Sequence, residues 1–317
     1  PARGARAVDE ALDITFGSGG KVTTGLADHV LAANAVAVDA AGRIVAVGGD
    51  APQGDPAQGL QWFVARYLAD GRPDAAFDGD GLRVETVYPC GSVSCDIHGQ
   101  ARAVLPLADG RIVVAGDEGD VLIVARYLAD GRLDGTFGQG GFLRGEYDPD
   151  RRSVARGLAP GPAGSVHVLV AQVSRTMAGD EIFDILRLDA DGVPDSGFGD
   201  GGTHHELHAP VVARAIVRQP DGRLVVAGFH DEGESPGSTA RCFVARYWAN
   251  GAGRDDTFGT QGIALVDFGQ PGAFNTCTAL ALAGDGRIAL TGMSNERLAV
   301  ARLTSAGAPD PAFSGDG

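Results

Sequence analysis

Long apolar segments, an excess of basic charge and two familiar functional motifs are missing from this sequence. No apolar run approaches the roughly 18 residues that a membrane-spanning helix needs, which argues against insertion in a membrane. Lys and Arg number 26 against 41 Asp and Glu, and the resulting net charge of −15 would repel nucleic acid phosphates and anionic membrane surfaces. No His-Glu-x-x-His pair and no Gly-x-x-x-x-Gly-Lys-[Ser/Thr] loop occurs. We therefore expect neither a nucleic acid partner nor one of these familiar active sites.

Cysteine is scarce, and no two cysteines form a Cys-x-x-Cys motif, which excludes the common zinc and thioredoxin spacings. The four cysteines allow several pairings, of which we favour Cys90–Cys95 together with Cys242–Cys277. Such bridges would imply an oxidising compartment, so we expect an extracellular, cell-surface or periplasmic protein. Two or more free buried thiols are the alternative. Aromatic residues make up only 6%, which weakens the case for a lectin that holds sugars on exposed rings.

Glycine, by contrast, is abundant: it accounts for 49 of 317 residues, against a usual share of about 7%. So many glycines in an otherwise globular composition indicate many turns and therefore many short strands. A motif Asp-x-x-Phe, followed by glycine, recurs along the whole chain at spacings of 55 to 61 residues. Its phenylalanines are Phe16, Phe77, Phe137, Phe198, Phe258 and Phe313. A regular period of this kind indicates a repeat architecture.

Each period contains four short runs rich in valine and isoleucine, which we name A to D. Examples are ARAVLPL at 101–107 for A, RIVVAG at 111–116 for B, FVARYL at 63–68 for C and GLRVETV at 81–87 for D. Glycine turns bound the runs and no window keeps a helical period, so the runs predict buried antiparallel strands. Four antiparallel strands in a radially repeated unit are typical of a β-propeller blade.

The phase of the repeats predicts five blades in a single domain over residues 1–317. Five A–B–C sets follow an N-terminal D run at 21–24, and this run would complete the last blade and close the ring. We therefore predict an all-β, closed five-bladed β-propeller with four antiparallel strands per blade. A truncated array or an open solenoid of sheets is the alternative.

The unit ARAVLPLADGRIVVAG…VARYLADGRLDGTFGQGG resembles the bacterial delta-sixty repeat family, tandem repeats common in large exported or surface proteins. The resemblance covers nearly the whole chain. Blade three departs most, because Val170 stands where the other B runs end in Gly48, Gly116, Gly228 and Gly292. The resemblance implies a propeller and export, and it implies no reaction.

We assign residues that recur in every blade to the scaffold, and residues found in one or two blades to function. On this basis the arginine of run C and the motif aspartate eight or nine residues later form a structural ion pair. The phenylalanine is expected to pack between neighbouring sheets. The arginines are Arg66, Arg126, Arg187, Arg246 and Arg302.

The end of the sheets with the B–C and D–A connections carries all the insertions, and variable loops on a rigid scaffold are where sites lie. There the starts of the A runs place five residues near the presumed central channel: Asn34, Arg102, Arg156, Arg214 and Thr278. Three arginines around one axis could bind a carboxylate, a phosphate or a sulfate. Ion pairs with acids of the loops are the alternative.

Acidic and histidine side chains in the same loops complete the candidate ligand-binding site. They are Asp96, His98, Asp117, Glu118, His230 and Asp231, with Asp180 and Glu181 on a further loop. Two facing carboxylates could hydrolyse a glycoside, and a cluster of acids could hold calcium. Solvated loop charge is the alternative for all of them.

We therefore expect an exported, non-catalytic binding propeller, a monomer whose loop face and channel mouth hold a glycan, an anionic small molecule or a protein. A glycoside hydrolase with loop carboxylates and a spacer domain of a larger surface protein are the alternatives. Neither nucleic acid nor a membrane is expected as a partner.

Overall fold

The protein consists of β-strands joined by tight turns. The computed structural model describes residues 12–27, 29–52, 60–88, 99–118, 120–145, 150–177, 180–206, 211–231, 240–268, 275–315 and 317. Within these residues the strands are β1 (His29–Val38), β2 (Ile44–Pro52), β3 (Leu60–Tyr67), β4 (Leu82–Tyr88), β5 (Gly99–Pro106), β6 (Ile112–Glu118), β7 (Val121–Tyr127), β8 (Phe142–Gly145), β9 (Arg151–Pro160), β10 (Val166–Ser174), β11 (Glu181–Leu188), β12 (Thr203–Glu206), β13 (Val211–Arg218), β14 (Leu224–Asp231), β15 (Ala240–Tyr247), β16 (Ile263–Val266), β17 (Asn275–Leu282), β18 (Ile288–Ser294) and β19 (Arg297–Leu303).

These strands form five separate antiparallel sheets in which neighbours in the chain are neighbours in the sheet. Sheet 1 contains β1–β4, sheet 2 β5–β8, sheet 3 β9–β12, sheet 4 β13–β16 and sheet 5 β17–β19. The middle strands are buried on both faces, which suits their runs of valine, isoleucine and alanine. An aspartate orders the A–B turn: in sheet 1, Asp39 accepts a hydrogen bond from the Arg43 backbone N–H at 2.9 Å, and Gly42 adopts a φ of 78°. The predicted A–B–C–D order is confirmed in sheets 1 to 4.

The predicted closure of the ring is not what the structure shows. Sheet 5 has three strands in the described residues, where we expected the N-terminal run at 21–24 to add a fourth. That segment contacts sheet 1 instead: the Gly17 N–H donates to the Asp70 carbonyl at 2.8 Å, and the hydroxyl oxygens of Thr24 and Tyr67 are 2.5 Å apart. The prediction that this segment completes the last blade is not confirmed, because in the described residues sheet 5 contains β17, β18 and β19 alone.

Successive sheets pack face to face, and each first strand contacts the next: β1 with β5, β5 with β9, β9 with β13 and β13 with β17. The first strands therefore lie on the inner side of the array. Four apolar cores fill the spaces between neighbouring sheets. Between sheets 1 and 2, Trp62 is fully buried and its Nε1 donates to the Tyr127 hydroxyl at 2.8 Å.

An arginine, an aspartate and a phenylalanine lock each sheet onto the next, and we call this set of contacts the latch. In sheet 1, Arg66 Nε donates to Asp74 Oδ2 at 2.7 Å, and the guanidinium carbon lies 4.8 Å from the centre of the Phe77 ring. Arg66 Nη1 continues to the Ala129 carbonyl of sheet 2 at 2.7 Å. Sheets 2 to 4 repeat the latch through Arg126, Arg187 and Arg246. These contacts confirm the structural Arg–Asp pair.

The latch also needs a glycine in the C–D turn of the receiving sheet. The N–H of Asp78, directly after Phe77, donates to the Asp130 carbonyl of sheet 2 at 2.8 Å. A Cβ atom at Gly131 would lie 2.8 Å from the Asp78 nitrogen and 3.3 Å from the Phe77 ring. The backbone of Gly131 also has a φ of 92°, in the left-handed region that favours glycine. The close approach of two sheets therefore explains part of the glycine excess.

Candidate functional site: the inner arginines

Each first strand carries a β-bulge, and the bulged residue is the one that we expected near the channel. The strand register shifts at the same point in all five sheets. The extra residues are Asn34, Arg102, Arg156, Arg214 and Thr278. A bulge leaves one residue out of the ladder and redirects its side chain. The structure thus brings the five predicted residues to equivalent positions on the inner strands.

The bulge explains why the B run ends in glycine in four of the five sheets. A Cβ atom at Gly228 would lie 2.0 Å from the Val212 carbonyl oxygen, and one at Gly292 would lie 1.7 Å from that of Thr276. Glycine therefore allows the bulged strand to approach its neighbour closely.

Arg102 is paired with a carboxylate of its own sheet. Its Nε and Nη2 both donate to Asp117, the second at 3.2 Å, and Asp117 directly follows Gly116 opposite the bulge. Burial raises the pKa of Asp117, and the charges of Arg102, Arg156 and Arg152 oppose that shift. For Arg102, the ion pair with a loop acid is thus what the structure shows.

Arg156 is paired with a carboxylate of the third strand of its sheet. Its Nη2 lies 3.2 Å from both carboxylate oxygens of Glu181, the first residue of β11. The charge of Arg156 also acts on Asp117 and on Arg214, so it links its two neighbours electrostatically. We call this group the inner arginine site, which consists of Arg102, Arg152, Arg156, Arg214, Asp117 and Glu181.

Arg214 differs from both, because no carboxylate pairs with it in the described part of the chain. Its guanidinium carbon lies 5.5 Å from the centre of the Phe229 ring. Phe229 directly follows Gly228, which is the position that Asp117 holds in sheet 2. Burial and the charge of Arg156 lower the pKa of Arg214, while Glu181 opposes them. Among the described residues, an aromatic ring thus stands beside this guanidinium where sheet 2 has a carboxylate.

Three other predicted residues contribute differently. Asn34 is exposed and its Nδ2 donates to the Ala101 carbonyl at 3.0 Å, so it connects sheets 1 and 2. Thr278 is exposed and its hydroxyl donates to a carbonyl of β18 at 3.3 Å. Glu118 is half-buried at the end of β6, where burial raises its pKa and Arg144 opposes the shift.

The remaining predicted residues lie elsewhere. His230 lines a cavity of about 210 Å³ between sheets 3 and 4, where Glu206 accepts a hydrogen bond from the Tyr247 hydroxyl at 2.8 Å. Asp231 is the last residue of β14. Asp96 and His98, like the predicted Cys90–Cys95 bridge, lie outside the described residues.

The second predicted disulfide is present and joins two sheets. Cys242 of β15 is bonded to Cys277 of β17, with their Cα atoms 5.2 Å apart. Among the described residues, no three His, Cys, Asp or Glu side chains are grouped so that they could hold a metal ion. The described segments also contain no helix of the length and apolar character that crossing a membrane requires.

Two residues were not predicted: Arg152, which belongs to the inner arginine site, and Phe229, whose ring lies beside Arg214. Phe229 could have been found from its place in the repeat. The position directly after the glycine of run B is Asp117 in sheet 2 and Phe229 in sheet 4. Reading that signal requires the bulge register, which aligns this position with the bulged arginine. Arg152 carries no comparable repeat signal.

Comparison with protein families supports a propeller-type repeat. The model of a domain of unknown function (DUF5122) beta-propeller matches residues 107–137 and 283–313. Each matched segment covers the second and third strands of a sheet and its Asp-x-x-Phe motif. The resemblance to delta-sixty repeats stays a prediction.

One solved structure supports similarity of fold, and two others have lower TM-scores. The chain is similar to a protein of unknown function from Dyadobacter fermentans, with 13% identity and a TM-score of 0.50 over 89% of this chain and 83% of that one. It is also similar to the PQQ-bound aldose sugar dehydrogenase from Streptomyces coelicolor (15% identity, TM-score 0.46, 92% and 83% covered). An alpha-L-arabinanase from Penicillium chrysogenum has 11% identity and a TM-score of 0.41, with 85% and 92% covered. At these identities the similarity concerns the fold alone. No curated protein sequence matches the chain.

Proposed function

We propose that this protein is an exported, non-catalytic binding propeller that holds an anionic group of its ligand at the inner arginine site. The observation that carries the proposal is the arginine without a counter-charge. Arg102 and Arg156 each have a carboxylate, whereas Arg214 has none in the described residues. A partly buried guanidinium in this state suits a carboxylate, a phosphate or a sulfate of a ligand.

The local charge of the site supports an anionic ligand. Four arginines stand there with two carboxylates, Asp117 and Glu181, although the whole chain has a net charge of −15. Arg156 and Arg214 repel each other, which contributes to the lowered pKa of Arg214. A bound anion would relieve this repulsion, and the positive site would attract it from solution.

The positive charge of the site and the arrangement of its guanidinium groups indicate which class of ligand it would hold. Two neighbouring guanidinium groups suit an oxyanion that accepts several hydrogen bonds, either free or as the acidic group of a glycan. Both carboxylates of the site are engaged by arginines, so we favour binding over glycoside hydrolysis. The Cys242–Cys277 disulfide supports export, because disulfides persist in oxidising compartments.

The proposal is tested by calorimetric titration with sulfate, phosphate and glucuronate at low ionic strength. We expect at least one of them to bind, and Arg214→Gln to weaken its binding about tenfold or more, since charged hydrogen bonds contribute about 1.5–3 kcal/mol. The control is Arg72→Gln, which removes an exposed arginine paired with Asp70 in a C–D turn and leaves binding unchanged.

Thermal unfolding separates ligand binding from a structural role. Arg214→Gln should leave Tm close to that of the wild type, because Arg214 has no ion pair within the described ranges of the chain. Arg102→Gln should lower Tm, because it leaves buried Asp117 without its partner. The proposal fails if none of the three anions binds the wild type, or if Arg214→Gln binds them with unchanged affinity.

A further inference from the structure

One Asp-x-x-Phe motif stands outside the five sheets. The last of the other five belongs to sheet 5, where Arg302 Nε donates to Asp310 at 2.6 Å and the guanidinium carbon lies 4.9 Å from the centre of the Phe313 ring. The remaining motif, Asp13–Phe16, precedes sheet 1. Within the described residues the Asp13 carboxylate accepts hydrogen bonds only from Thr15, and no arginine pairs with it. This motif therefore lacks the arginine that every other motif has.

The unpaired motif nevertheless occupies the receiving site of sheet 1. The Gly17 N–H donates to the Asp70 carbonyl at 2.8 Å, which is the bond that Asp78 makes to sheet 2. A Cβ atom at Gly71 would lie 3.1 Å from the Phe16 ring, as expected for the glycine of a C–D turn that receives a latch. The segment thus forms the docking half of a latch whose own sheet is not among the five.

Sheet 5 carries the opposite half of a latch: it has the arginine, the aspartate and the phenylalanine, but in the described residues no further sheet packs against this face. Leu298 is 83% exposed, although the same position is at most 1% exposed in the other sheets. The residues there are Trp62, Leu122, Phe183 and Cys242. In the described residues, Arg302 Nη1 makes no bond to a further sheet, unlike the other latch arginines. A groove of about 980 Å³ lies over Leu298, Val300 and Phe313.

Sheet 1 carries the matching open face. Val36 of β1 is 67% exposed, whereas its equivalent in sheet 4, Ile216, is 5% exposed under sheet 3. A groove of about 390 Å³ on this face is lined by Phe16, Leu31 and Ile44, among others. The array therefore has one apolar face at each end, and each is the type of face that neighbouring sheets bury elsewhere in the molecule.

Direct contact between these two faces does not satisfy both latches. If sheet 5 docked on sheet 1, Phe313 would need the place beside Gly71 that Phe16 already fills, and Asp13 would still lack an arginine. A second copy of the chain fails for the same reason, because each of the five latch arginines is already paired with the aspartate of its own motif. The occupant must bring an arginine that has no motif of its own.

We propose that a sixth sheet of the same repeat docks between sheet 5 and sheet 1 and closes a six-bladed ring. The partner is three antiparallel strands with an arginine on the third. This arginine pairs with Asp13 and stacks on Phe16, as Arg66 does with its own motif. The C–D turn of the sixth sheet receives Phe313 and Arg302. The proposal does not depend on ligand binding at the inner arginine site.

The test adds such a sheet to the full chain. Gly317 follows Phe313 at the distance at which Gly202 follows Phe198, so a copy of residues 203–253 appended after Gly317 continues the repeat in phase and includes the receiving glycine, Gly251. The copy supplies one latch arginine, the equivalent of Arg246, without a following motif, and it carries Cys242→Ala so that it adds no thiol. The matched controls are the same extension with Arg246→Leu in the copy and a Gly/Ser extension of equal length.

The first measurement is the accessibility of sheet 5. A thiol placed by Leu298→Cys should react with a maleimide at least ten times more slowly in the extended chain than in the unextended chain or the Gly/Ser control. Equal rates in all three proteins would overturn the proposal. In the unextended chain a slow reaction would also overturn it. The molar mass from light scattering would then show what covers this face of sheet 5. A dimer would indicate a second copy of the chain, and a monomer would indicate direct contact with sheet 1.

The second measurement tests the latch itself. Asp13→Asn should leave Tm of the unextended chain unchanged and lower Tm of the extended chain by several degrees. It should have no effect when the appended copy carries Arg246→Leu. A Tm shift that does not depend on the appended arginine, or no shift in the extended chain, would refute the predicted pair.

Discussion

Removal of one buried charge from the latch between sheets 4 and 5 is expected to weaken the whole molecule. The Asp255 carboxylate is fully buried; its Oδ2 accepts a hydrogen bond from Arg246 Nε at 2.7 Å and lies 2.8 Å from Arg223 Nε. Asp255→Asn keeps the shape of the side chain but leaves two guanidinium groups without their shared counter-charge. Breaking a buried pair from one side costs about 3–5 kcal/mol, and we expect a loss of this size in the free energy of unfolding.

The loss should extend to the neighbouring sheet, because Arg246 Nη1 also donates to the Ser305 carbonyl of sheet 5 at 2.7 Å. The matched control is Asp221→Asn, which removes an exposed carboxylate 2.6 Å from the same Arg223. Surface ion pairs contribute about 0–1 kcal/mol, so this control should be nearly neutral. The assay is urea unfolding followed by circular dichroism at pH 7. A loss for Asp255→Asn no larger than that for Asp221→Asn would refute the reasoning.

The pH dependence of the same variant gives an independent check. Burial acts to raise the pKa of Asp255, but hydrogen bonds from Thr257 and the charges of Arg246 and Arg223 outweigh it, so the pKa lies below its usual value. Stability from such a carboxylate is complete above its unfolded pKa of about 4 and is lost as the pH falls through the folded value. Stability of the wild type should therefore decline more steeply with acid below about pH 4 than that of Asp255→Asn.

Two further predictions concern a buried histidine and the disulfide. Burial is the main cause that lowers the pKa of His167 from 6.5 to about 4. Between these two pH values the imidazole is therefore protonated in the unfolded chain and neutral in the folded one. Stability should fall by about 3 kcal/mol as the pH drops from about 6.5 to 4, and His167→Gln should remove most of that slope in urea unfolding. An unchanged slope would contradict the assignment. Cys242 and Cys277 are 35 residues apart, so replacing both with serine should lower the free energy of unfolding by about 3–4 kcal/mol. An unfolding midpoint equal to that of the wild type would contradict this estimate.

Much of the scaffold could be predicted because the repeats provide an internal comparison. The Arg–Asp spacing in every blade predicted the pair that the structure shows at Arg66 and Asp74. Strand order followed from the short valine-rich runs and the glycine turns between them. A single blade would not have been enough, because an Arg–Asp pair that occurs once in a sequence can be either structural or functional. Its recurrence in every blade identifies it as structural.

The prediction for the end of the array was not confirmed, and the reason is physical. The sequence contains six motifs but only five A–B–C sets, and we assigned the N-terminal run by its strand type alone. The latch shows that a motif belongs to the arginine before it, since Arg302 pairs with Asp310 rather than with Asp13. An ion pair between segments at opposite ends of the chain depends on how the sheets stack, which periodicity does not reveal.

The inner arginines show why the candidate site was harder to predict than the fold. Arg102, Arg156 and Arg214 have the same position in their repeats, yet only the last lacks a carboxylate in the described residues. The difference comes from the residue across the bulge, Asp117 in one sheet and Phe229 in another, and from Glu181 on a different strand. A repeat scaffold holds the guanidinium groups in equivalent places, so a change in one facing residue is enough to replace the carboxylate beside an arginine with an aromatic ring. Function in this protein is therefore to be sought where equivalent positions have different partners.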